Sequence, residues 1–315
     1  MIENSSIGDP SRLIPTLSGR VGLLTTERQW VEMKRWVSFS AEFVLFQSQD
    51  DRFLLKLGSN WSGDDVGFVV SEIGRVGAIL TAVPDTQLAM PGVLGSATSP
   101  PAIALEYLDG DPIFDVIAGV DDGLRRKLLT ACGRAIGAFH SAETIGTSDE
   151  LTRAAREEMV AVGRRMGFRA AGADRHSRSL VCARSFRFSP NDFLVDDVGT
   201  VILLDPPHVR KYAYVHRDIG TFVMELHRAL LGERMPRNDG ESARLSAAVA
   251  SFVGGYADTG PTTLTGPSDV WAIRVFAAAR VAGVAANRFR RFELGNALRT
   301  VRWAAGLRRT AKHAR

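Results

Sequence analysis

From Val66 to Leu80 the residues Val66, Val69, Val70, Ile73, Val76, Gly77 and Leu80 return every three or four positions, the period of one helix face. Asp64 and Asp65 stand just ahead of them, where carboxylates favour the exposed amides of a helix start. Upstream the period shortens. VSFSAEFVLFQSQDDRFLLKLG is rich in aromatic and β-branched residues and breaks at Gln49-Asp50-Asp51, which predicts a β-hairpin. TTERQWVEMKRW before it predicts a modest helix, with Trp30, Met33 and Val37 on one face. Beyond the 66–80 helix, PGVLG, SATSPP and AIALEYLDGDPI predict a strand, a loop and a second strand ending in a polar turn.

From about residue 113 long helical patterns take over: DVIAGVDDGLRRKLLTACGRAIGAFHSA, LTRAAREEMVAVGRRMG, DIGTFVMELHRALLG, ESARLSAAVASFVGGYA and SDVWAIRVFAAARVAGVAANRFRRF. Only residues 183–207 interrupt them with strands. There RSFRFSPNDFLVDDVGTVILLDPP predicts a polar turn, a short strand, a hairpin turn at Asp196-Asp197-Val198-Gly199, and an apolar strand running to Asp205. The division is an α+β one. Residues 1–110 form a small β-rich lobe, 111–287 a mostly helical lobe, and 288–315 a basic tail.

Composition adds boundaries rather than direction. The 315 residues are 45% hydrophobic and 23% charged with a net charge of +4, and much of the basic excess sits in the last thirty residues, so charge gives no argument for nucleic acid. Cys132 and Cys182 are too far apart and too apolar in setting for a metal cluster or disulfide framework, and both read as buried thiols. The N-terminus carries Glu3 and no continuous apolar stretch, so it does not read as a signal peptide, and no run has the length of a membrane span. The expected location is cytoplasmic.

Lys56 closes the second hairpin strand in FLLKLG, and Glu72 lies on the helix that follows. A lysine placed against nucleotide phosphates by a helix carboxylate is one of the few groups phosphoryl transfer needs. Each residue alone reads as a solvated surface charge; their order with LEYLDGD and the 184–207 segment joins them.

The chain resembles the aminoglycoside phosphotransferase and sugar/choline kinase group of the protein-kinase-like fold. FLLKLG, IALEYLDGDPI, GRAIGAFHSA, and RFSPNDFLVDDVGTVILLDPP followed by RDIGTFVMEL carry the likeness over roughly residues 40–230. The resemblance implies two lobes, ATP and Mg2+ as cofactors, and transfer of phosphate to a hydroxyl of a small molecule or sugar. It puts Lys56, Glu72 and Glu106 on the nucleotide side, and Asp192 and Asp205 on the metal. Carboxylate oxygens are suitable hard ligands. The family's His-Gly-Asp-Phe loop aligns with Ser185, Phe186, Arg187 and Phe188, so Arg187 occupies the place of the catalytic aspartate. A guanidinium is always protonated and takes no proton from a hydroxyl; it binds anions instead. The alternative is therefore a pseudokinase that binds nucleotide or a protein partner as regulator or scaffold.

His216-Arg217-Asp218 spells a kinase catalytic loop but runs straight into an apolar helix with no asparagine five residues beyond the aspartate. The resemblance gives Asp218 a structural place, tying the catalytic loop from below. SGRVG, at 18–22, is too early and too short for a phosphate-binding glycine loop. His140 reads as packing or capping its helix end, and His208 and Lys211 as a solvated loop. In the tail, Phe292, Leu298, Val301, Trp303 and Leu307 interleave with arginines. Helical winding gives an apolar face flanked by cations, suited either to docking on the helical lobe or to lying peripherally in an anionic membrane surface.

Overall fold

The structure, a computed structural model, describes residues 30–37, 41–49, 51–58, 61–84, 87–144, 149–165, 180–186, 188–204, 212–291 and 293–312. The chain divides into two compact units. One takes the described residues up to Ala78 and Ala89–Asp109; the other takes Ile79–Leu88, Gly110–Leu203 and the described residues beyond Val209.

The first unit is built on strands β1 (Val31–Val37), β2 (Ala41–Ser48), β3 (Asp51–Gly58), β5 (Val93–Thr98) and β6 (Pro101–Glu106), in the order β1-β2-β3-β6-β5 and antiparallel throughout. Gln49, at a φ of 50°, turns the predicted hairpin. Both faces of the sheet are covered. Val44, Phe46, Phe53, Leu55 and Leu57 form one buried layer with Ala102 and Ala104. On the other face Leu54, Ile103 and Leu105 pack under Val66, Val69 and Ile73 of α1 (Gly63–Thr81).

Two expectations change here. Residues 31–37 form a strand, not a helix, because pairing with β2 satisfies their backbone along a whole sheet edge, and the pairs Arg35–Glu32 and Arg35–Glu42 sit on that edge. As a strand, β1 leaves Val31 and Met33 exposed. The stretch taken as a loop, SATSPP, instead lends Ser96–Thr98 to β5 and Pro101 to β6.

The second unit holds α2 (Ile113–Val116), α3 (Asp122–Ala142), α4 (Asp149–Arg165), α5 (His216–Leu231), α6 (Asp239–Thr259), α7 (Pro267–Arg290) and α8 (Leu294–Lys312). A small sheet orders as β4 (Leu88–Ala89), β10 (Val201–Leu203), β9 (Phe193–Val195) and β7 (Asp111–Pro112), with the Val201 N–H donating to the Gln87 carbonyl at 2.9 Å. Strands are not confined to 183–207 as expected. β8 (Cys182–Arg184) pairs with β11 (Tyr212–Tyr214), giving the segment a second anchor. Asp121 and Asn238 cap α3 and α6 by accepting from the Leu124 and Glu241 amides, at 2.9 Å each.

In α8, Ala297, Thr300, Trp303 and Ala304 turn inward, and Trp303 and Ala304 join Met224, Ala277 and Val281 in one buried cluster. The Thr300 hydroxyl donates to Glu233 at 2.7 Å, and Arg288 bonds both Glu233 and Thr300. The expected single apolar face is thus split. Trp303 is 2% exposed, while Leu298 and Val301 are 55% and 42% exposed on the outward side with Arg299 and Arg302. Phe292 lies outside the described residues, as do the N-terminal residues through 29.

Candidate functional site

In the first unit, Lys56 is 1% exposed and Glu72 is 6% exposed. Strand alternation explains the lysine: it points the same way as Leu54, opposite Ile103 on β6 and Phe43 on β2, toward the face that α1 covers. Glu72 shares its helix face with Val69, Ile73 and Val76. The fold therefore brings the predicted pair into the same sheet–helix layer. The Lys56 ammonium lies 5.2 Å from the Trp61 ring and 5.5 Å from the Phe43 ring, close enough for cation–π attraction. Arg75 grips Glu72 with two bonds, Nη2 to Oε2 at 2.8 Å and Nε to Oε1 at 3.2 Å, which fixes the carboxylate's rotamer.

Glu106, at the end of β6, is exposed. Its carboxylate accepts the Gly92 N–H at 3.0 Å, and its own N–H reaches the Gly92 carbonyl at 2.9 Å. A Cβ on Gly92 would stand 2.9 Å from that carboxylate, so a larger residue there would oblige the Glu106 side chain to shift.

The loop in the second unit is organised from below by Asp218, which is wholly buried. Its carboxylate accepts from the Ser185 hydroxyl at 2.6 Å and the Phe186 N–H at 2.7 Å, and it meets His140 Nε2 at 3.2 Å. On the far side of the ring, His140 Nδ1 is 3.0 Å from the Tyr256 hydroxyl. This network assigns the proton of His140 to Nε2, with Tyr256 donating to Nδ1. Burial pushes the Asp218 carboxyl up, but the His140, Ser185 and Phe186 bonds outweigh it and hold it below the usual carboxylate range. Burial, with the Asp218 and Asp269 charges, raises the Tyr256 phenol well above its ordinary value and keeps it a donor. Two residues before Asp218 on α5, buried His216 meets Asp269 of α7 at 2.6 Å.

Asp192 is half-buried at the end of a 3-10 turn, Pro190–Asp192, and its carboxylate accepts the Ser189 N–H at 2.6 Å. Beyond it, Asp196 accepts the Val198 and Thr200 amides at 3.1 and 2.7 Å, and Gly199 supplies a φ of +85° to close the β9–β10 hairpin. Aromatic rings seal the loop: Phe186 lies 4.0 Å from Phe139 and 5.3 Å from Phe188. Arg187, Asp205, His208 and Lys211 lie outside the described residues. Sequence reading missed the link from His140 to Asp218 and Tyr256, because it joins α3, α5 and α6, whose separation in the chain carries no motif.

No protein-family model matches the chain, and no curated protein matches it by sequence. Solved structures do match. An amicoumacin kinase in complex with AMP-PNP, Ca2+ and Ami is 11% identical, covering 96% of this chain and 94% of its own, at a TM-score of 0.57. A Ralstonia eutropha JMP134 protein carrying an aminoglycoside phosphotransferase assignment is 13% identical over 96% and 95%, at 0.57. An aminoglycoside 2'-phosphotransferase-IIIa in complex with GDP is 10% identical over 96% and 98%, at 0.54. The chain has the protein-kinase-like fold of these proteins over nearly its whole length.

Proposed function

We propose that this chain binds a nucleotide through its β-rich unit and transfers phosphate to a hydroxyl of a small molecule or sugar, slowly for want of a general base. The observation that carries the reading is the buried Lys56 in the same layer as the buried, Arg75-held Glu72. Charges are rarely retained in so apolar a layer without a task, since taking an ion out of water costs several kcal/mol. A fixed ammonium held by a helix carboxylate is what grips nucleotide phosphates in this fold. The nucleotides held by the amicoumacin kinase and the aminoglycoside phosphotransferase are consistent with this, ATP being the expected donor here.

The metal side is chemically apt. The half-buried Asp192 carboxylate offers hard oxygen, and with Asp205 it would hold Mg2+. Such an ion, when bound, supplies charge neutralisation at the phosphates. Asp218 positions Ser185 and Phe186 from below and touches no reacting group in this reading. Arg187 would bind anionic phosphate but would take no proton from the acceptor, so a loss of about 10²–10⁴ in rate is expected relative to a site with a base.

Calorimetry of ATP binding with and without magnesium, on the wild type, Lys56→Ala and Asp205→Asn, tests the reading. Magnesium-dependent binding that disappears in both variants is expected; a wild type that binds no nucleotide overturns it. One observation favours a second reading, a pseudokinase. Phe186, at the family's glycine position, is packed in an aromatic cluster that stiffens the loop. Nucleotide binding without transfer to any sugar or antibiotic hydroxyl, unimproved by Arg187→Asp, would establish that second reading.

A further inference from the structure

Helices α3 and α6 run side by side in the same direction. Their contact is closest where a Cβ on Gly133 would stand 2.1 Å from the Phe252 carbonyl oxygen and one on Gly255 would stand 2.2 Å from that of Thr130. Toward their N-terminal ends they part, and the small residues Ala243 and Ala247 leave a cleft of about 340 Å³. Its charged walls are Asp122, Arg125, Arg126 and Arg244, three cations against one carboxylate.

The arginines differ in what they have left to offer. Arg125 is buried and committed to the fold: Nε donates to the Ile117 carbonyl at 2.9 Å, Nη2 to the Val120 carbonyl at 2.5 Å, and Nη1 pairs with Asp122, neutralising it. Arg244 gives one Nη to the Ala118 carbonyl, but its Nε is buried with no hydrogen-bond partner. Arg126 carries an exposed guanidinium with no hydrogen bond or ion pair among the described residues. The Arg244 Nε is shut away from the cleft as well as from acceptors, so Arg244 meets a ligand through its remaining Nη, which has no hydrogen bond among the described residues. Two guanidiniums around one cleft match the oxygens of a phosphate group, which takes their donors as charge-assisted bonds.

We propose that this cleft binds a small phosphate-bearing anion, a phosphate monoester or a pyrophosphate group, through Arg126 and Arg244. The volume lies within the range of small-ligand sites, roughly 300–1,000 Å³. It is separate from the loop that Asp218 holds: His140, which meets that loop, follows Arg126 by about 21 Å along the α3 axis at 1.5 Å per residue. The proposal does not depend on the nucleotide reading above.

The test is calorimetry of inorganic pyrophosphate binding to the full chain, without magnesium and at constant ionic strength. The wild type is compared with Arg126→Glu, Arg244→Gln and Lys56→Ala. Both cleft variants should weaken binding at least tenfold, while Lys56→Ala should leave it unchanged. Arg126 is exposed, so Arg126→Glu should keep the melting temperature of the unliganded protein and remains informative even if Arg244→Gln loosens the loop at Ala118. Displacement by glycerol 3-phosphate identifies a soluble ester as the source. Arg126-dependent capture on phosphatidic acid vesicles identifies a lipid headgroup with the same chemistry. A wild type that binds no pyrophosphate, equal affinity in Arg126→Glu, or loss confined to Lys56→Ala would overturn the proposal.

Discussion

Asp218 shows how much one carboxylate can organise. Three groups converge on it, from α3, from the loop after β8 and from that loop's backbone, and the His140 and Ser185 side chains are buried with it. Asp218→Asn turns one acceptor oxygen into a donor facing donors, so it is expected to cost about 3 kcal/mol. Urea denaturation checks this, and a change within ~0.5 kcal/mol would refute it. Histidines set the pH response. Burial holds His216 below its ordinary 6.5 despite the Asp269 bond, and burial likewise lowers His227 despite the Arg234 carbonyl. The unfolded chain then takes up protons that the folded chain refuses, so stability is complete above about pH 6.5 and falls below it. A second loss follows from Glu241, whose carboxyl the Arg234 guanidinium and the Arg237 N–H hold at about 2 rather than 4.5. Its contribution disappears as pH falls through that interval. Melting temperature against pH should show both declines, and His227→Asn should shrink the upper one.

At the scale of elements, glycine sets how close helices come. Gly133, Gly137 and Gly255 leave no room for a Cβ between α3 and α6, and each would meet backbone or a short side chain within 2.5 Å. Gly255→Ala gains up to about 1 kcal/mol of helix propensity, yet must push the helices apart. A net loss of about 1–3 kcal/mol is expected from overpacking. Thermal unfolding decides it; a stabilised variant would mean that the helices part freely. The same scale explains where periodicity misled. Trp30, Met33 and Val37 fall at helical spacing, but residues 31–37 carry an open sheet edge on β2, and ladder hydrogen bonds outweigh a weak helical preference. In α1 no such competitor exists, and the spacing of Val66, Val69, Ile73, Val76 and Leu80 matches the residues that are buried.

For the molecule as a whole, α8 belongs to the helical unit. Trp303 fills a cluster with Met224, Ala277 and Val281, so Trp303→Ala should cost about 3–5 kcal/mol. Removing residues from Leu294 onward should expose that cluster and lower the melting temperature, measurable by calorimetric scanning. The α+β division, the hairpin, α1 and the long helices were legible in the chain, because period and turn chemistry are local properties repeated over many residues. The place of Asp218 beneath the loop was legible through the resemblance, whereas the burial of Lys56 and Glu72 was not, since each alone reads as a solvated charge. What no local pattern could carry was partnership. The strand formed by residues 31–37, the joining of β8 to β11, the inward turn of Trp303 away from Leu298 and Val301, the His140–Asp218–Tyr256 chain and the arginine-lined cleft each require segments far apart in sequence to meet. Sequence specifies which residues avoid water; which neighbours they then find depends on how the helices and strands pack, and that packing is a property of the folded chain.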